Sequence, residues 1–212
     1  MPRHASFVPH GVIPAVLLPF HDDLSIDEKS FRAHLRDVGA TQGISAITLN
    51  AHSTEVASCS FDEQRRVLEI AQDEIGGKLP IVNGIWADGS LEAARIARMA
   101  ADGGASALLV FPPAPFTLQQ SPEMALAHFK RIADASDLPI IVFQYPLARA
   151  FYAEPWADMH NRMKEALVLL GRLTRAVVRP PLVKLARAEI DCIRAALIES
   201  GLLASSASRD AA

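Results

Sequence analysis

Short apolar runs and helical stripes alternate along the first two thirds of the chain. Continuous apolar runs bounded by turn residues stand at 12–18, 46–49, 81–83, 107–111 and 140–143. Such runs fit strands covered on both faces, as in a parallel sheet. Between them, apolar residues recur at helical spacing. Phe31, Leu35 and Val38 mark a first helix, and Ser25 three residues before Glu28 predicts a capping box at its start. Ser60 and Glu63 repeat that signature ahead of Val67, Leu68, Ile70 and Ala71, with Gly76-Gly77 as the stop. A third, alanine-rich helix runs from about Leu91 to Gly103-Gly104. A fourth starts near Pro122, a favoured first-turn residue, and ends before Leu138-Pro139.

Strand, helix and strand in repetition make βαβ units, which leaves a doubly wound sheet or a (β/α)8 barrel. No G-x-G-x-x-G follows the first run, and "GVIPAVLLPF" carries Pro14 and Pro19, which suits a barrel edge better than a phosphate loop. The predicted fold class is therefore α/β, a TIM-type barrel. It is incomplete: about five strands are visible, against the ~250 residues of a full barrel. After Pro146 the pattern turns helical. Residues 159–170 read as a helix broken at Gly171, with Met159, Met163, Ala166 and Leu170 as its apolar stripe. "AVVRPPL" is a loop by its double proline, although Val177-Val178 could be a stub of strand. Residues 182–203 return to helical spacing, with Ile190, Ile193 and Leu197 on one face. The expected division is a partial barrel over 7–146, a helical region over 147–203 and a disordered tail over 204–212.

Composition narrows the class without choosing a function. Of 212 residues, 50% are hydrophobic and 21% charged, which fits a globular chain. The net charge of -3 and pI near 6.2 argue against a nucleic-acid partner. The basic stretch over 162–194 is spread around helices and reads as a solvated face. No apolar run approaches the ~20 residues of a membrane span. "MPRHASFVPHG" lacks the apolar stretch of a secretory signal. Cys59 and Cys192 are too few for a disulfide framework and are expected as reduced thiols in a cytoplasmic protein.

The ordered motifs resemble the dihydrodipicolinate synthase / N-acetylneuraminate lyase family of class I aldolases. "GVIPAVLLPF" is similar to that family's opening strand. "GISAITLNAHSTEVASCSFDEQRRVL" is similar to its second unit, with Ala51-His52-Ser53-Thr54-Glu55 where the family usually has Gly-Thr-Thr-Gly-Glu. "LPIVNGIWADGSLEAARIARMAADGGASALLVFPPAPF" covers the third and fourth units, and "LPIIVFQYP" the fifth strand. The likeness resumes in "YAEPWADMHNRMKEALVLLGRL" and "VRPPL", which resemble helices that the family places after a complete barrel. Between these blocks the family has three more strands, the first bearing the lysine that condenses with pyruvate. Here Pro146 runs straight into the later helices. A deletion with its seam at 146–149 would explain this, and would leave 145–156 as the least stable stretch.

The resemblance implies a 2-oxo-acid lyase, with pyruvate as a small-molecule partner and no cofactor. It also implies that the chemistry is impaired. A Schiff-base lysine must be neutral and held in a dry site. Lys29 and Lys130 fall on polar helix positions, Lys78 in a glycine-rich turn, and Lys164 and Lys184 in the C-terminal helices. All five are expected as solvated surface groups, so no catalytic residue is assigned. Phe143 occupies the family's fifth-strand tyrosine position, His52 and Ser53 its threonines, and the fourth-strand tyrosine falls near Ala114. The candidate substrate-binding residues are His52, Ser53, Thr54, Asn83 and Gln144. Histidine's unperturbed pKa is near neutrality, so His52 could do acid–base work, or be a polar loop residue. Ser53 and Thr54 could hold a carboxylate or cap their turn, and Asn83 and Gln144 could bind a ligand or satisfy neighbours. Glu55 is expected to serve the loop backbone. His21-Asp22-Asp23 cannot converge on one ion, so no metal is assigned. A non-catalytic remnant remains the alternative. Unpaired strand edges predict a homo-oligomer.

Overall fold

The computed structural model describes residue 4 and residues 6–113, 121–143, 159–180 and 182–204. The sequence readings for Ala114, Gln144 and the 145–156 stretch lie outside the described residues. The chain forms two compact units, one of Met1–Val16 with Leu35–Ala153, the other of Leu17–His34 with Glu154–Ala212.

In the first unit, β1 (Ile47–Leu49), β2 (Ile81–Ile85), β3 (Ala107–Val110) and β4 (Ile140–Val142) form a parallel sheet in that order. Ile47 stands opposite Ile81, Val82 opposite Ala107 and Leu108 opposite Ile140. The expected first strand at 12–18 is only two isolated parallel bridges, Val12 to Ile44 and Ala15 to Thr48. Pro14 and Pro19 lack the N–H that a continuous ladder needs, so pairing shrinks to bonds such as Val16 N to Thr48 O at 3.0 Å.

The connecting helices start where polar caps allow. In α2 (Phe61–Glu74) the Ser60 capping box is made reciprocally, Glu63 N to Ser60 Oγ at 3.2 Å and Ser60 N to Glu63 Oε2 at 2.9 Å. α3 is Ser90–Asp102, and α4 (Pro122–Ala133) has the Ser121 hydroxyl accepting from Met124 N. Val67, Leu68, Ile70 and Ala71 on α2, and Ala93, Ile96, Ala97 and Ala100 on α3, are buried. Val82, Ala107, Leu109 and Ile141 pack with Phe7, Ile13 and Ala46. At the start of α4's packing partner, Ser90 Oγ meets His128 Nδ1 at 2.9 Å, and burial pushes the His128 imidazole below its ordinary pKa.

In the second unit, Leu17, Leu18, Phe20 and Phe31 are fully buried. α1 (Glu28–Gly39), whose residues through His34 belong to this unit, is capped by Asp27, whose carboxylate accepts from Ser30 N at 2.9 Å and Ser30 Oγ at 2.8 Å. The Ser25 capping box is thus corrected: Ser25 turns to the Asp23 carboxylate instead. Asp27 is buried, with His21 Nδ1 at 3.7 Å and Arg175 Nη1 at 3.6 Å. Burial works to raise its pKa, but the Ser30 hydrogen bonds and the His21 and Arg175 charges outweigh it and hold Asp27 below the usual carboxylate range.

α5 (Met159–Leu169) starts where predicted and ends one residue short of the expected 170, but turns the other way. Met159 and Met163, half of the expected apolar stripe, are exposed, whereas Asn161, Lys164 and Glu165 are buried. The reason is a set of backbone acceptors. Asn161 Nδ2 donates to Val183 O at 2.6 Å and Lys164 Nζ to Val177 O at 2.8 Å. Val177-Val178 is accordingly no strand stub; Val177 gives its carbonyl to a lysine. α6 is Arg187–Glu199, shorter than the helix expected over 182–203, with Ile190, Ile193 and Leu197 half-buried.

Candidate functional site

In a parallel sheet of βα units, side chains that follow the strand C-termini gather at one mouth, where barrel sites lie. β1 ends in Asn50, held in the left-handed region with φ of 51°. Its amide donates to Asn83 Oδ1 at 2.8 Å and to Gln64 O at 2.9 Å. Asn83, fully buried on β2, donates in turn to Gly84 O at 2.8 Å. Backbone approach here is tight: a Cβ on Gly84 would overlap the Asn50 carbonyl. Asn83 therefore satisfies its neighbours.

The loop after β1 forms a single 3₁₀ turn over His52–Thr54. Thr54 Oγ1 accepts from Ala51 N and donates to Ala51 O, both at 2.8 Å, so this hydroxyl closes its own turn. Glu55 is left-handed with φ of 53°, and its carbonyl accepts from Ser58 N and Ser58 Oγ at 2.8 Å. Ser53 is buried and makes no side-chain hydrogen bond among the described residues.

His52 lies in a cluster of rings. Its imidazole centroid is 4.8 Å from Trp86, 4.5 Å from Phe111 and 5.8 Å from Phe143. Trp86 and Phe111 are 5.6 Å apart, and Phe111 and Phe143 4.7 Å. Trp86, Phe111 and Phe143 are each the first residue after β2, β3 and β4. That shared position was the available signal for Trp86 and Phe111, which motif reading missed. The mouth is therefore mainly aromatic. Phe143 stands at the strand end without a hydroxyl to pass a proton. Of the candidate residues, the structure brings together His52, Ser53 and Thr54 on one turn, with Asn83 beside it through Asn50; Gln144 lies outside the described residues.

Lys29, Lys78, Lys130 and Lys184 are exposed, as expected. Lys164 is not. It is fully buried on α5 in the second unit, its Nζ 4.5 Å from the centroid of the Phe20 ring and bonded to the Val177 carbonyl. Arg179 lies 4.3 Å from the same ring centroid. Sequence alone placed Lys164 at the surface because it could not see the ring and the carbonyl that receive the ammonium. Among the described residues, no three histidine, cysteine or acidic side chains are grouped to hold a metal ion. No helix there is long and apolar enough to cross a membrane.

Residues 8–153 match the Dihydrodipicolinate synthetase family. The chain belongs to this family. Within it, the 4-hydroxy-tetrahydrodipicolinate synthase of Methanothrix thermoacetophila is 34% identical over 155 residues, 73% of this chain and 50% of that one. The synthase of Sphingopyxis alaskensis is 38% identical over 136 residues, 64% of this chain and 45% of that one. The chain spans about half the length of the curated relatives it matches. A solved dihydrodipicolinate synthase from Thermotoga maritima superposes with a TM-score of 0.77 at 17% identity, over 91% of this chain and 99% of that one. N-acetylneuraminate lyase from Mycoplasma synoviae gives 0.58 at 18% identity, over 64% of this chain and 46% of that one. These likenesses establish the fold, an α/β barrel of the dihydrodipicolinate synthetase type, here incomplete.

Proposed function

We propose that this chain is an internally shortened member of the dihydrodipicolinate synthetase family: a 2-oxo-acid lyase scaffold that has lost Schiff-base chemistry. The observation that carries this reading is the placement of its five lysines. Four are exposed on helices, loops and turns, and the fifth commits its ammonium to the Val177 carbonyl and the Phe20 ring. An imine-forming amine needs a free lone pair in a dry site at the mouth. At this mouth Thr54 spends its hydrogen bonds on its own turn, Asn83 on the Gly84 carbonyl and the Asn50 amide, and His52 packs among rings. A synthase from Acinetobacter baumannii has been crystallised with pyruvate, so pyruvate is the compound to test. With pyruvate and an aldehyde acceptor, this chain leaves the pyruvate concentration unchanged while an intact synthase consumes it. Consumption by this chain would contradict the reading.

One observation favours a second reading, non-covalent binding of a small 2-oxo acid at the mouth. Ser53 is buried as a residue, and its hydroxyl makes no hydrogen bond among the described residues and is not sealed from solvent, next to His52. Pyruvate titration followed by NMR, with Ser53→Ala as control, distinguishes it. Self-association is also part of the proposal. Among the described residues β4 pairs only with β3, and Val142 on that edge is 60% exposed. A monodisperse monomer by light scattering would contradict it. The division of the chain near 146–147 predicts early tryptic cleavage at Arg149.

A further inference from the structure

The second unit contains a solvent-open cavity of about 450 Å³, walled by Asp22, Glu165, Thr174, Arg175, Val177 and Lys184 among others. Glu165 is 7% exposed, yet it makes no hydrogen bond or ion pair among the described residues. Its oxygens are not among the sealed, unsatisfied atoms of the interior, so the carboxylate reaches the cavity. A carboxylate this buried is costly without a partner. Across the same wall Lys184 presents an ammonium that also lacks a partner among the described residues, and no ion pair joins the two. Arg175 is partly engaged already, by Asp27 at 3.6 Å and His21 at 3.2 Å.

Charges of both signs without partners among the described residues therefore face one small space, Glu165 and Asp22 on one side of the balance and Lys184 on the other. A lone anion would meet Glu165 and Asp22. A metal ion would lack ligands, since no group of three ligating side chains occurs among the described residues. We propose that this cavity binds a small zwitterion of the free amino-acid class, its ammonium on Glu165 and its carboxylate on Lys184; the Thr174 hydroxyl is already held by Ser30 Oγ at 3.0 Å. Val168 and Val177 flank the carbon skeleton. This site is independent of the reading given to the strand ends.

The test is thermal unfolding and calorimetric titration of the full chain with L-alanine and L-valine, each beside propylamine and propionate. A ligand that binds only the folded chain raises the melting temperature with concentration. The amino acids raise it and the two single-charge analogues do not. Glu165→Gln and Lys184→Met each weaken binding roughly tenfold, as loss of one charge-assisted hydrogen bond does. Lys184 is exposed, so its variant retains the fold, and the ligand comparison needs no variant. No shift with either amino acid, an equal shift with propylamine alone, or unchanged affinity in both variants would overturn the proposal.

Discussion

The strand-end mouth of the first unit and the buried face of α5 in the second reverse the usual expectation. The mouth, where the family's chemistry would lie, is lined by Trp86, Phe111 and Phe143 around His52, with Thr54 and Asn83 bonded to nearby backbone. α5, read from sequence as an apolar packing helix, buries Asn161, Lys164 and Glu165. A polar residue at a mouth is not thereby chemical, and a lysine on a helix is not thereby solvated. What separates the cases is whether each polar atom already has a partner.

The comparison breaks most easily at its closest packing. Gly84→Ala drives a methyl group into the Asn50 carbonyl, which is backbone and cannot swing aside. The expected loss is about 3 kcal/mol, read by denaturant unfolding. Wild-type stability would mean that the mouth is looser than described. Lys164→Ala should cost a similar amount, about 3 kcal/mol, because it leaves the Val177 carbonyl unpaired and opens space beside Phe20. A change under about 0.5 kcal/mol would return Lys164 to the surface class of the other lysines.

Asn83→Ala is expected to cost about 2 kcal/mol, since the Asn50 amide loses one of its two acceptors in a buried site and keeps only Gln64 O. His52→Phe keeps a ring in the cluster and should stay within about 1 kcal/mol of wild type. A large loss there would assign His52 a polar partner that matters more than its packing.

Much of the first unit was legible in the sequence, because strong local signals agreed with the tertiary fold. Ser60 with Glu63, and Pro122 in a first turn, marked two helix starts, and four apolar runs became the four paired strands. What failed depended on partners distant in sequence. The 12–18 run had the right hydrophobicity, but its prolines denied it a ladder. Ser25 matched a capping pattern, yet Asp27 stood one residue before the helix and took the role. The face of α5 was misread because Val177 and Val183 offer carbonyls that periodicity does not register. At the mouth, three aromatic residues directly after successive strands were visible as letters, but only the sheet brings them onto His52.

Titration gives a smaller effect that separates the units. The folded His128 pKa lies below its ordinary 6.5, so the unfolded chain takes up the proton first as pH falls. Its contribution to stability is present above about pH 6.5 and declines as pH drops through the folded value. Asp27, also depressed, contributes above its ordinary 3.8 and loses that contribution only as pH falls further, through its folded value. His128→Gln should flatten the loss that starts near neutrality, and Asp27→Asn the one at acid pH. An unchanged profile in either variant would remove that group from the account.

The central claim is that no amine in this chain forms an imine with pyruvate. The direct measurement is intact mass after incubation with pyruvate and borohydride, followed by peptide mapping. The account predicts an unchanged mass under conditions that label an intact synthase of the family. A reduced pyruvyl adduct on Lys164 or Lys184 would contradict it.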